Sequence, residues 1–164
     1  MGYLGLSWVG LVYIILLFVP NIIWAKNRKA RKASRTEPEN RVLLLMERGG
    51  QATTMVLILV FRDTNLSGYS PWVWWLTASA FFLLLYEAAW VRCFVGEITP
   101  DKLYQSLLGI PMPLATLPAF SFLLLGVYGR VIWLIASSTV LGGGHIGIHF
   151  RHRRTLAKRE GEAL

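Results

Sequence analysis

The sequence predicts an all-α, polytopic integral membrane protein of five transmembrane helices, with its N-terminus out and its C-terminus in. Three observations predict it. Of the 164 residues, 54% are apolar and only 16% charged, where a soluble domain carries about a quarter charged residues. The apolar residues gather into runs of about twenty, the length that crosses a bilayer core. The basic residues gather into short blocks between those runs, as cytoplasmic loops do.

The first span is placed at 3–24. Nothing positive precedes it and no small-x-small cleavage pattern follows, so it reads as a retained helix, not as a secretory signal. The second span, 42–61, carries Glu47, Arg48 and Gln51 and rests on the uninterrupted apolar run at 55–61. The third, 72–92, is clean. Residues 107–150 are too many for one crossing at about 1.5 Å per residue. They are read as two spans, 107–126 and 130–150, with Gly126, Gly129 and Arg130 supplying the freedom and solvation of a tight helical turn. The whole chain, 1–164, is then a single transmembrane domain.

Charge gives an independent check on five spans. Fourteen Lys and Arg residues fall in the two long links and the tail that five crossings place in the cytoplasm, and only Arg62 and Arg130 fall on the other side. Four crossings would put the basic tail outside. Aromatic residues fit the same frame, since Tyr3, Trp8, Tyr69, Trp72, Trp74, Trp75, Tyr128 and Trp133 collect at the outer ends and Trp24, Trp90 and Tyr104 at the inner ends. Such rings favour the headgroup level. Between the third and fourth spans, Thr99, Pro100 and Asp101 have the pattern of a capped helix start. A short surface helix through Leu103, Tyr104 and Leu107 is expected there.

Several function classes drop out. The net charge of +8 comes with no nucleic-acid recognition module, so the basic segment at 28–35 reads as a solvated loop beside anionic headgroups. Cys93 is the only cysteine, which rules out an intramolecular disulfide and a thiolate metal cluster. No nucleophile elbow, phosphate-binding glycine loop or dinucleotide fingerprint is present. Asn65, Leu66 and Ser67 match a glycosylation triplet, a pattern too short to carry weight.

Ionisable groups inside hydrocarbon cost about 2.5 to 3.5 kcal/mol at mid-helix on insertion scales, so each needs a reason to be there. Glu47, Glu87 and His145 share one layer near the cytoplasmic side of spans two, three and five. On span five, Ser138, Gly142, His145, His149 and His152 form one stripe; on span two, Glu47, Gly50, Gln51 and Thr54 form another. Two polar stripes on otherwise apolar helices should face each other. Arg48 points about 100° away from Glu47 and is expected to pair with Glu87 or to reach the phosphates. Pro113, Pro118 and Gly142 to Gly144 predict distorted helices at the same depth, and Gly143 with Gly147 is a G-x-x-x-G pair for close packing.

The leading expectation is a small membrane protein that binds, and in an oligomer transports, a small or amphipathic ligand, with lipid as a further candidate. Glu47, Gln51, Glu87, His145 and His149 would line its pocket in the cytoplasmic leaflet, and the glycine face of span five would form the interface of a homo-oligomer. An alternative is a metal-dependent membrane enzyme acting on lipid or a lipid-linked substrate, with His145, His149 and Glu87 holding zinc or iron. A third is a structural or assembly subunit. The expected location is the cell (inner) membrane.

Overall fold

The computed structural model describes residues 2–26, 40–96 and 99–162. The basic segment at 28–35 lies outside them. The described chain is all-helical, with five α-helices: α1 Trp8–Lys26, α2 Arg41–Val60, α3 Val73–Phe94, α4 Pro113–Tyr128 and α5 Ile132–Glu162. Three of them, α1, α2 and α3, are long and apolar enough to cross a membrane. The fourth is a shorter apolar helix of 16 residues.

The helices form a ring in the order α1, α2, α5, α4, α3, each packed on the next, with α3 closing back on α1. The centre of gravity is α4, where 12 of 16 residues are buried. Its hydrophobicity therefore serves mostly neighbouring helices, with Phe120 left exposed. Outside the ring, large apolar side chains stand exposed: Val12, Ile15 and Val19 on α1, Val56 on α2, Phe81 and Leu84 on α3, Val140 on α5.

One end of the bundle gathers the N-terminus, the α2–α3 link and the α4–α5 turn; it is called the upper end below. Here residues 3–7 run antiparallel to the end of α2. Gly5 and Ser7 donate to the carbonyls of Val60 and Leu59, 2.9 Å each, and Arg62 donates back to Tyr3 at 3.1 Å. These bonds satisfy carbonyls that a helix end leaves without partners. Helix α1 accordingly starts at Trp8 and not at residue 3. Its first turn is capped twice, by Ser7 Oγ accepting from Gly10 and by Asn65 Oδ1 accepting from Trp8 and Val9. Asn65 Nδ2 donates to Leu6, so the triplet that matches a glycosylation site is built into the fold.

The α4–α5 turn lies where the sequence predicts, but by a different device. Gly129 is right-handed, and the left-handed residue is Arg130, at φ 53°. Val131 donates to Gly126 and Arg130 to Val127, the two bonds of a Schellman turn. The glycines allow close approach instead. A Cβ on Gly126 would lie 3.0 Å from Ile135, and one on Gly129 3.0 Å from Thr64.

At the lower end the expected fourth span starts late. Leu108, Gly109 and Met112 all have positive φ, and two prolines flank Met112, so the helix begins at Pro113 and not at 107. The surface element is a single 3-10 turn, Pro100–Tyr104, and Thr99 makes no side-chain cap bond. Arg92 holds this link by donating to the Ser106 carbonyl at 2.9 Å and to Gln105 Oε1 at 2.8 Å. Helix α5 continues without a break through Gly142, Gly143 and Gly144. Two expected interface rings are core residues: Trp90 is 4% exposed and Tyr128 6%.

Candidate functional site

Beneath the upper end, one layer of the bundle is filled. Tyr13, Ile58, Leu83, Leu125 and Leu134 are 0–4% exposed, and hydroxyls tie three helices across this layer. Tyr13 Oη meets Ser79 Oγ at 3.1 Å; Ser79 Oγ donates to the Ser121 carbonyl at 2.7 Å, and Ser121 Oγ returns a bond to the Ser79 carbonyl at 2.9 Å.

Below this plug lies a cavity of about 180 Å³, to which every one of the five helices contributes. Its wall is mostly apolar, with Met55, Leu114 and Phe122 among the lining residues. Four side chains give it polar atoms: Asn21, Gln51, Tyr86 and His145. Asn21 Nδ2 donates to Tyr86 Oη at 2.6 Å and to the Leu17 carbonyl at 2.7 Å. The neighbouring Pro20 cannot donate to the carbonyl of Leu16, which loosens α1 at this level. Pro118 on α4 also lines the space.

His145 is held from behind. Its Nδ1 bonds Glu47 Oε1 across the α2–α5 interface, and both side chains keep partial exposure, 27% and 19%. A carboxylate on Nδ1 makes that nitrogen the donor and leaves Nε2 as the ring's other polar atom. The helices can approach this closely because both carry glycine at the contact. A Cβ on Gly50 would lie 2.6 Å from Leu141 N, and one on Gly144 only 2.4 Å from Glu47 N. Higher up, Thr54 Oγ1 donates to Ser137 Oγ at 3.0 Å.

Two expected stripes therefore meet, though not in the expected register. The α5 face against α2 runs through Ser137, Leu141 and Gly144. Gly142 is turned toward α4, with Ala119 3.2 Å from its notional Cβ. Gly143 and Gly147 meet only the side chains of Met46 and Leu43, so the close pair across this contact is Gly50 and Gly144. Of the α5 glycines, Gly144 is buried against α2 and Gly142 against α4, while Gly143 stays exposed and Gly147 half-buried.

Of the five residues predicted to line a pocket, Gln51 and His145 do, and Glu47 stands directly behind. His149 continues along α5 outside the lining, its ring 4.5 Å from that of His145 and 5.7 Å from that of Tyr104. Glu87 is elsewhere on α3, with Oε1 buried and lacking a hydrogen-bond partner. Arg48 is exposed and does not pair with it. Among the described residues no three His, Cys, Asp or Glu side chains gather closely enough to hold a metal ion, so the expected set of His145, His149 and Glu87 is not assembled. Asn21 and Tyr86 are the polar residues that sequence reasoning missed. A signal existed for Asn21, the one amide within the first apolar run. Tyr86 had none beyond its place beside Glu87.

No protein family, curated protein or solved structure matches this chain.

Proposed function

We propose that the chain is an integral membrane protein of five crossings, N-terminus out, that binds a small amphipathic molecule in the five-helix cavity. His145 is the polar anchor, Glu47 positions it, and Gln51, Asn21 and Tyr86 offer further hydrogen bonds. The observation that carries the reading is the cavity itself, lined by all five helices beside one carboxylate-held imidazole.

Membrane insertion is supported by the three long apolar helices and by the belt of exposed Val, Ile, Leu and Phe around the ring. At about 1.5 Å per residue α4 is about 24 Å long, short for a lone crossing. Its neighbours cover it on nearly every side, so it need not match the bilayer by itself. Helix α5 is diluted by serine, glycine and histidine, yet much of that surface faces α2, α4 and the cavity rather than lipid. The distribution of basic residues supports the orientation, and the cell membrane is the proposed location.

An engineered apolar cavity of about 150 Å³ accepts benzene. The present one thus suits a single ring or short branched chain bearing one polar group. Passage to the other side would require the Tyr13–Ser79–Ser121 layer to open, so the packing favours binding with release on the side of entry. Among the α5 glycines, only Gly143 and Gly147 keep surface that a second copy could meet.

The test is thermal unfolding of the purified full chain in neutral detergent, with phenol, benzyl alcohol and aniline as probes. A probe at a hundredfold its Kd stabilises by about 2.7 kcal/mol. Saturable stabilisation by at least one probe, reduced in His145→Ala and in Gln51→Leu but kept in Glu87→Gln, is expected. No response in the wild type, or equal responses in all variants, would remove the reading.

A further inference from the structure

At the upper end a second cavity, of about 580 Å³, opens between the α2–α3 link and the α4–α5 turn. Arg62 and Arg130, the two arginines that the charge pattern strands away from the basic loops, both line it, together with Trp72, Ser67, Ser70 and Asp63. Their convergence is not dictated by sequence, since one belongs to the α2–α3 link and the other to the α4–α5 turn.

Neither guanidinium lies within ion-pair distance of a carboxylate among the described residues. Asp63, the acid in the wall, accepts the backbone N–H of Tyr3, and the cavity keeps an excess of positive charge. Arg130 is also held in place. Its guanidinium carbon sits 4.8 Å from the centre of the Trp72 ring, a cation–π distance, and Trp72 is itself fixed by Nε1 donating to the Tyr128 carbonyl at 2.9 Å. The guanidinium of Arg62 rests 5.7 Å from the ring centre of Tyr3. Aromatic faces leave the N–H edges of a guanidinium available for an anion. Finally, Arg130 occupies the left-handed position of its turn, where glycine is the favoured residue. An arginine there works against the backbone.

We propose that this upper cavity binds a phosphate-type oxyanion between Arg62 and Arg130, with Ser67 and Ser70 as hydroxyl partners. Planar guanidinium forks match the oxygens of phosphate. The oxyanion is either a lipid headgroup in the adjoining leaflet or a free phosphate. This site is independent of the central cavity and of what that cavity holds.

Two arms of one experiment separate the sources. Inorganic phosphate is titrated calorimetrically into the full chain in neutral detergent, and the chain is reconstituted in nanodiscs of phosphatidylcholine and phosphatidylglycerol for native mass spectrometry of retained lipid. The variants are Arg62→Gln and Arg130→Gly, the latter removing the guanidinium while giving the turn its favoured residue. Saturable phosphate binding weakened about tenfold by each variant assigns a soluble anion, one charge-assisted contact being worth about that factor. Retained phosphatidylglycerol lost in both variants, without phosphate binding, assigns a headgroup. Absence of both in the wild type, or binding that both variants leave unchanged, overturns the proposal. Arg130→Gly is expected to melt no lower than the wild type, so loss of binding cannot be read as loss of fold.

Discussion

The contact between Glu47 and His145 joins residues 98 positions apart, and it was legible because both are ionisable groups at one depth on polar stripes. Glu87 met the same criterion and failed, for depth fixes a level but not a direction around the helix. Substitution separates positioning from contact. Glu47→Ala should weaken probe binding about tenfold by freeing the ring, while Glu47→Gln, which still accepts from Nδ1, should lose much less; titration of the ¹⁵N-histidine spectrum with the bound probe reads both. If Ala and Gln behave alike, the carboxylate does not position the ring. Asn65 illustrates a residue that sequence reasoning undervalued, because its partners Trp8, Val9 and Leu6 lie almost sixty residues away. Asn65→Ala removes a cap and should lower unfolding stability by about 1 to 2 kcal/mol, measured by denaturant titration; no change would show that Ser7 suffices.

At the level of helices, periodicity identified which residues share a face but not which neighbour that face meets. His145 of the predicted α5 stripe does meet α2, but the close backbone approach lies about 100° around the helix, at Ser137, Leu141 and Gly144, and Gly142 turns toward α4. That difference has a consequence for stability. Gly50→Ala and Gly144→Ala each place a Cβ within 2.4–2.6 Å of backbone on the other helix, and should destabilise by about 1–3 kcal/mol by forcing α2 and α5 apart. Gly49 has nothing within 4 Å of its notional Cβ, so Gly49→Ala should be neutral or stabilising by up to about 1 kcal/mol. Unfolding midpoints of the three variants decide it; equal effects at Gly49 and Gly144 would mean that the close approach is not what the glycines serve. Helix starts were misplaced where backbone conformation, rather than hydropathy, set them. Both Ser7 and the pair of prolines around Met112 interrupt apolar runs that look continuous.

Taken as a whole, the molecule showed its helix count in its hydropathy because each run was long enough to be a helix and each link was polar or broken by glycine and proline. The turn at Arg130 was found from composition, though its left-handed residue was not. What no pattern in the sequence could show was the ring closure that brings α1 onto α3, and with it the cavity, since Asn21 and Tyr86 become neighbours only in three dimensions. A cavity lined by five helices lies inside a bilayer only if α4 and α5 both cross it. Single cysteines at Lys29, Tyr69 and Glu162, introduced into a Cys93→Ala background and tested with a membrane-impermeant maleimide on intact and permeabilised cells, measure this directly. Labelling of Tyr69 from outside, with Lys29 and Glu162 both reached only after permeabilisation, is the predicted result. Glu162 labelled together with Tyr69 would contradict it.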